Sequence, residues 1–165
     1  QQEQSVMQKY LTEIRWGLIF TAVMLLWMWA EQLVGLHGRY IADHATYTNL
    51  FAIPAILVYV LALRQKKARD YNGSMSWKQG MQAGLIITLV VVLLSPAAQW
   101  LTHTVITPDY FANVQAYAIA QGMMTEAEAA AYFSLNNYML QSVIGAAIMG
   151  VLTSVIVAFF LRTKE

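Results

Sequence analysis

Of 165 residues, 58% are hydrophobic and 12% charged, more apolar side chain than a soluble domain of this size can cover, so the chain reads as an integral membrane protein. There is no cysteine, which excludes disulfides, thiolate metal sites and thiol redox chemistry. The net charge of +1 says little as a total, and its distribution along the chain says more.

The polar segment Gln1 to Glu13 lacks an initiator methionine, and Met7 reads as a native start. Lys9 and Arg15 then precede an apolar run, Trp16 to His37, that carries no charge as far as Ala30. At a rise of about 1.5 Å per residue such a helix crosses about 30 Å, the hydrocarbon core of a bilayer. Bulky Trp27, Met28 and Trp29 followed by Glu31 do not resemble a signal cleavage site, so the helix is retained. A carboxylate inside it costs on the order of 2.5 to 3.5 kcal/mol on insertion scales and therefore calls for a partner, a proton or a wet interior.

A short connector holding Arg39, Asp43 and His44 leads to a second span over about 46–64, which Pro54 should kink. The basic stretch Arg64 to Lys78 follows, with an Asn72-Gly73 turn, and Ser76 with Gln79 reads as a capping box that starts the third span, about 78–103. Pro96 interrupts that span near its far end. Gln99 and His103, four residues apart, share a helix face beyond it.

Thr107-Pro108-Asp109 predicts a helix start with a capping hydroxyl and an acid at the positive end of the dipole, giving an amphipathic helix over about 108–121 that stops at Gly122. Thr125 and Glu128 form a second capping box for a helix over about 126–135. The last span, about 137–161, is closed by Arg162 and Lys164. The expected architecture is therefore all-α, a single polytopic domain over 1–165 with four transmembrane helices and a short helical outer segment between the third and fourth.

Four spans put both termini on one side. Assigning the termini and Arg64–Lys78 to the cytoplasm places nine of the ten basic residues inside and leaves only Arg39 outside, as the positive-inside rule requires. Glu31, Asp43, Asp109 and all three histidines then lie toward the outer side.

The segments WGLIF, HATYTNLFAIPAILVYVLALR, YNGSMSWKQGMQAGLIITLVVVLLSP, THTVITPDYFANV and IGAAIMGVLTSVIVAFFLRTK resemble a small bacterial inner-membrane family, typical of the Bacteroidetes, known as domain of unknown function 4199. The resemblance covers nearly the whole chain after Met7. It implies the four-span inner-membrane architecture and a setting in envelope biogenesis, and it carries no activity.

Glu31, His44, Gln99 and His103 are expected at one depth and form the candidate polar cluster. It reads as a proton or cation site or a headgroup pocket opening outward, or else as a structural network that fixes helix packing. No metal site is expected, because no ligand spacing such as H-x-x-x-H is present, and no catalytic residue or cofactor is expected either. Ser142, Ala146, Gly150, Ser154 and Ala158 recur every four residues as a small-residue stripe, which suits close packing within the monomer or a homodimer seam. Arg64, Lys66, Lys67 and Arg69 set the topology, with anionic lipid as a further partner. Trp16, Trp77 and Trp100 suit interfacial anchoring. Nucleic-acid binding is excluded by the lack of any suitable surface. The best functional reading is a non-catalytic accessory or assembly component of envelope biogenesis. An oligomeric carrier or lipid-handling protein gated at Glu31 is the alternative, and an outer-leaflet enzyme comes third.

Overall fold

The computed structural model describes residues 2–164. Among these residues there are eight α-helices and no strand: α1 (Gln2–Lys9), α2 (Leu11–Val34), α3 (His44–Thr48), α4 (Ala52–Asp70), α5 (Trp77–Leu101), α6 (Tyr110–Ala120), α7 (Glu126–Tyr132) and α8 (Leu135–Leu161). Four segments are long and apolar enough to cross a membrane: Leu11–Val34, Ile41–Asp70, Trp77–Ile106 and Leu135–Leu161.

The boundaries depart from expectation where backbone chemistry decides them. The first span starts earlier and ends at Val34, because Gly35 takes a left-handed φ of 90° that only glycine adopts without strain. In the second span Pro54 lies at the start of a helix and not inside one. Short 3₁₀ turns at Ile41–Asp43 and Asn49–Phe51 flank α3 ahead of it, and Pro54 falls in the first turn of α4, where a missing N–H costs nothing. At its other end α4 runs on through the basic residues to Asp70, so that only a short turn remains before Ser76.

In the third span the helix continues past Pro96 to Leu101. Proline cannot bond the carbonyl of Val92, and the Ser95 hydroxyl donates to that oxygen instead at 2.8 Å. The irregularity comes later, as a π-turn over Thr102–Ile106 closed by the Thr107 N–H donating to the Thr102 carbonyl at 2.7 Å. The expected capping boxes at Ser76/Gln79 and Thr125/Glu128 both form. Thr107, by contrast, caps nothing: it is buried and its hydroxyl donates to Gln32 Oε1 at 3.0 Å, tying the α5–α6 connection to α2.

Helix α5 packs along both α2 and α8, and α4 packs against the same two helices. The α5–α8 contact is built from two rows of small residues. A Cβ added at Gly80 would lie 3.0 Å from Ala158 Cβ, one at Gly84 would lie 2.5 Å from Ser154 Oγ, and one at Gly150 would collide with Thr88. In lipid, where apolar burial gives helices no reason to associate, such close backbone approach supplies the attraction. Thr88 adds a polar tie: its hydroxyl donates to the Gly84 carbonyl at 2.9 Å and accepts from Tyr59 of α4 at 2.7 Å.

The end of the bundle that carries both termini is sealed. Leu63 and Met75 are fully buried there beside Val157 and Ala158, and the Thr163 N–H donates to the Met75 carbonyl at 2.8 Å. Lys66 lies inside this end. Its ammonium contacts Glu13 Oε1 at 2.8 Å, Asp70 Oδ2 at 2.5 Å and the Lys9 carbonyl at 2.8 Å. Of the four basic residues expected to set the topology, with anionic lipid as a further partner, two are engaged inside the protein. Lys66 is only 4% exposed, and Lys67 donates to the Leu161 carbonyl at 2.9 Å, which leaves Arg64 and Arg69 exposed among the four.

Candidate functional site

At the opposite, distal end Glu31 occupies the last turn of α2 and is 3% exposed. The helix closes there with a Schellman arrangement, in which the Leu36 N–H donates to the Glu31 carbonyl at 3.0 Å and the Gly35 N–H to the Gln32 carbonyl at 3.1 Å. The chain therefore folds back on the helix it has just left. His37, 2% exposed, arrives with Nε2 at 2.9 Å from Glu31 Oε2. Asn113 of α6 donates to the His37 carbonyl at 2.8 Å and pins the turn from the other side.

His44, the first residue of α3, brings a second imidazole to the same oxygen, with Nε2 at 3.3 Å from Glu31 Oε2. Trp27, one turn earlier on α2, donates its indole N–H to Oε1 at 2.6 Å. Both carboxylate oxygens are thus engaged, one by an indole and the other by two imidazoles. A carboxylate this deep requires such partners, since an unpaired ion would face a desolvation cost of several kcal/mol.

A second layer lies behind the first. The Tyr110 ring packs at 5.3, 5.2 and 5.2 Å from His37, His44 and His103 respectively. Its hydroxyl meets that of Tyr138 at 2.9 Å, and burial pushes the Tyr110 pKa above the ordinary phenol value, so it stays a neutral hydroxyl. His103 stacks on Phe111 at 4.2 Å and places Nε2 at 3.1 Å from Gln99 Oε1. His37, His44, Gln99, His103, Tyr110 and Tyr138 line a cavity of about 190 Å³. The Nδ1 atoms of His37 and His103 are buried with no hydrogen-bond partner among the described residues.

The expected cluster of Glu31, His44, Gln99 and His103 is therefore two pairs, of which His44, Gln99 and His103 line the cavity and Glu31 lies behind His44. Glu31 meets His44, Gln99 meets His103, and the Tyr110 ring stands among the imidazoles. His37 is the residue the sequence reading left out. Its signal was present in V-G-L-H, because a glycine that ends the helix at position 35 turns the following residues back toward Glu31, whereas a helix continued through to position 37 carries His37 past it.

A second opening adjoins this cavity. A groove of about 390 Å³ runs between α4 and α8 over a floor of α2 and α5, lined largely by apolar groups such as Met24, Ala55, Ile56, Val91, Ala146 and Met149. Thr48 and Gln99 line both the groove and the cavity, so apolar and imidazole-lined walls lie side by side. The small-residue stripe of α8 divides accordingly. Ser154 and Ala158 pack into α5, Gly150 meets Thr88 at the transition, and Ser142 and Ala146 border the groove. Gly145 also borders it, and a Cβ added there meets nothing within 4 Å.

No curated protein and no solved structure matches the chain. The family model described as a protein of unknown function (DUF4199) matches residues 15–163, both site regions included, and the chain therefore belongs to the DUF4199 family.

Proposed function

We propose that this protein is a non-catalytic, lipid-binding accessory component of the bacterial inner membrane, serving envelope biogenesis, with both termini in the cytoplasm and the imidazole cavity toward the outer leaflet. The orientation rests on nine of ten basic residues falling at the terminal end and its adjoining loop. The lipid reading rests on one observation: the apolar groove between α4 and α8 adjoins the polar cavity, with Thr48 and Gln99 lining both. A hydrocarbon chain fits the first compartment and a polar headgroup the second, which is how an amphiphile from the outer leaflet would sit.

The test is to fill the groove without disturbing the packed half. Gly145→Trp adds bulk where a Cβ meets nothing, so the variant should fold and melt as the parent does. Native mass spectrometry of the parent, released from lipid nanodiscs, should show one retained phospholipid per chain, and the variant should lose it. Equal retention by both proteins, or none by the parent, contradicts the proposal.

A further inference from the structure

We propose that Glu31, His37 and His44 form a binding site for one divalent transition-metal ion of the zinc class. Their ligand atoms lie within 4.8 Å of one another, and two imidazole nitrogens converge on a single carboxylate oxygen, at 2.9 and 3.3 Å. Metal–ligand bonds of about 2.0 to 2.2 Å in a tetrahedral site separate neighbouring donor atoms by roughly 3.3 Å. The two nitrogen–oxygen separations are thus close to those of a coordination sphere, and all three donors lie within 4.8 Å.

The surroundings suit an ion. Trp27 holds Oε1, which leaves Oε2 as a monodentate ligand of fixed direction, the supporting role that an outer-shell donor plays at a metal centre. The Gly35 turn and the Asn113 bond to the His37 carbonyl fix the backbone behind the second ligand. His37 and His44 both border the cavity of about 190 Å³, which gives room for a fourth ligand, a water or a donor from a bound molecule. The ligands are spaced E-x₅-H-x₆-H across a turn and a short helix, a pattern with no helix-face period. Imidazole and carboxylate together favour zinc, copper, nickel or iron over magnesium and calcium, which prefer oxygen alone.

This inference does not rest on the lipid reading, and each stands if the other fails. The experiment uses tag-free protein in nanodiscs after chelator treatment, titrated with zinc chloride by calorimetry and with cobalt chloride by visible absorption. One ion per chain should bind, with cobalt d–d bands of a low-coordinate site. His37→Ala and His44→Ala should each weaken binding at least about 100-fold, and Trp27→Phe about 10-fold, given that outer-shell partners alone account for 10- to 100-fold. Asp43→Asn and Asp109→Asn, which alter exposed acids near the site, should leave affinity within about threefold, as substitutions outside the ligand set do. Melting each variant without metal separates loss of ligand from loss of fold. If His37→Ala does not fold, His44→Ala and Trp27→Phe carry the comparison, since the His44 side chain is partly exposed. Affinity weaker than about 100 µM in the parent, or tight binding that survives His44→Ala and Trp27→Phe, overturns the assignment.

Discussion

The two ends of this bundle each bury a carboxylate of α2 and treat it in opposite ways. At the terminal end Glu13 meets the ammonium of Lys66, which also holds Asp70 and a backbone carbonyl in a close-packed setting beside Leu63 and Met75. At the distal end Glu31 meets two imidazoles and an indole beside an open cavity. An ammonium bonded to two carboxylates and a carbonyl locks helices together. Imidazole offers a ring nitrogen lone pair, so the second cluster has the donor chemistry of a ligand set. The same division runs through α8, where Ser154 and Ala158 interlock with α5 and Gly145 and Ala146 face a groove. One end of the molecule is close-packed, and the other borders an open groove and cavity.

The sharpest way to break the comparison is at the close-packed end. Lys66→Ala leaves Glu13, 1% exposed, without its cation and should destabilise the protein by about 3–5 kcal/mol, measured as unfolding in detergent with added denaturant. A loss near zero would mean that the terminal end is not held by this cluster. Next comes a pair of glycine substitutions on one helix. Gly150→Leu meets Thr88 and should cost about 1–3 kcal/mol through overpacking, whereas Gly145→Leu enters open space and should stay within about 0.5 kcal/mol of the parent. Equal effects would erase the distinction between packed and open halves.

Smaller still are the couplings inside the distal cluster. Alanine substitutions at Glu31 and His44, which touch, should show an interaction energy of about 0.5–2 kcal/mol in a double-mutant cycle, and those at Glu31 and His103, which do not, should be additive within about 0.5 kcal/mol. The reverse order would place His103 on the carboxylate in place of His44. The smallest effect belongs to the exposed capping box of α7. The Thr125 backbone N–H and hydroxyl both donate to Glu128 and hold its pKa below the ordinary glutamate value. A group depressed on folding contributes stability above its unfolded pKa and loses it as pH falls through the folded value. Amide exchange over 126–132 should therefore be slower at neutral than at acid pH in the parent, after correction for intrinsic rates. Thr125→Val should flatten that dependence.

Local signals carried much of the architecture. Span positions follow from uninterrupted apolar runs, and the boxes at Ser76 and Thr125 involve residues three apart, so nothing distant can override them. Three features escaped because their cause is tertiary. His37 reaches Glu31 through the turn made by Gly35, which hydropathy alone absorbs into the span. Lys66 looked like one more loop cation because its partner Glu13 lies far away in sequence, on another helix. The partner of the α8 stripe is the row Gly80, Gly84 and Thr88, spaced by four on α5, whose small residues are masked in the sequence by the apolar run LIITLVVVLL that overlaps it. Thr107 failed for the converse reason: a good local capping hydroxyl was claimed by Gln32 across the bundle.

The central claim is that the groove between α4 and α8 holds a lipid chain while the rest of the surface merely faces the bilayer. A phospholipid carrying a diazirine midway along one acyl chain, incorporated into vesicles with the protein and photolysed, tests it directly, with the adducts mapped by peptide mass spectrometry. Adducts should concentrate on groove-lining Met24, Ile56 and Met149 at a yield well above that on Leu93 and Phe160, which are 71% and 77% exposed, and Gly145→Trp should abolish the excess. An even distribution over all exposed apolar residues, unchanged by that substitution, would contradict the account.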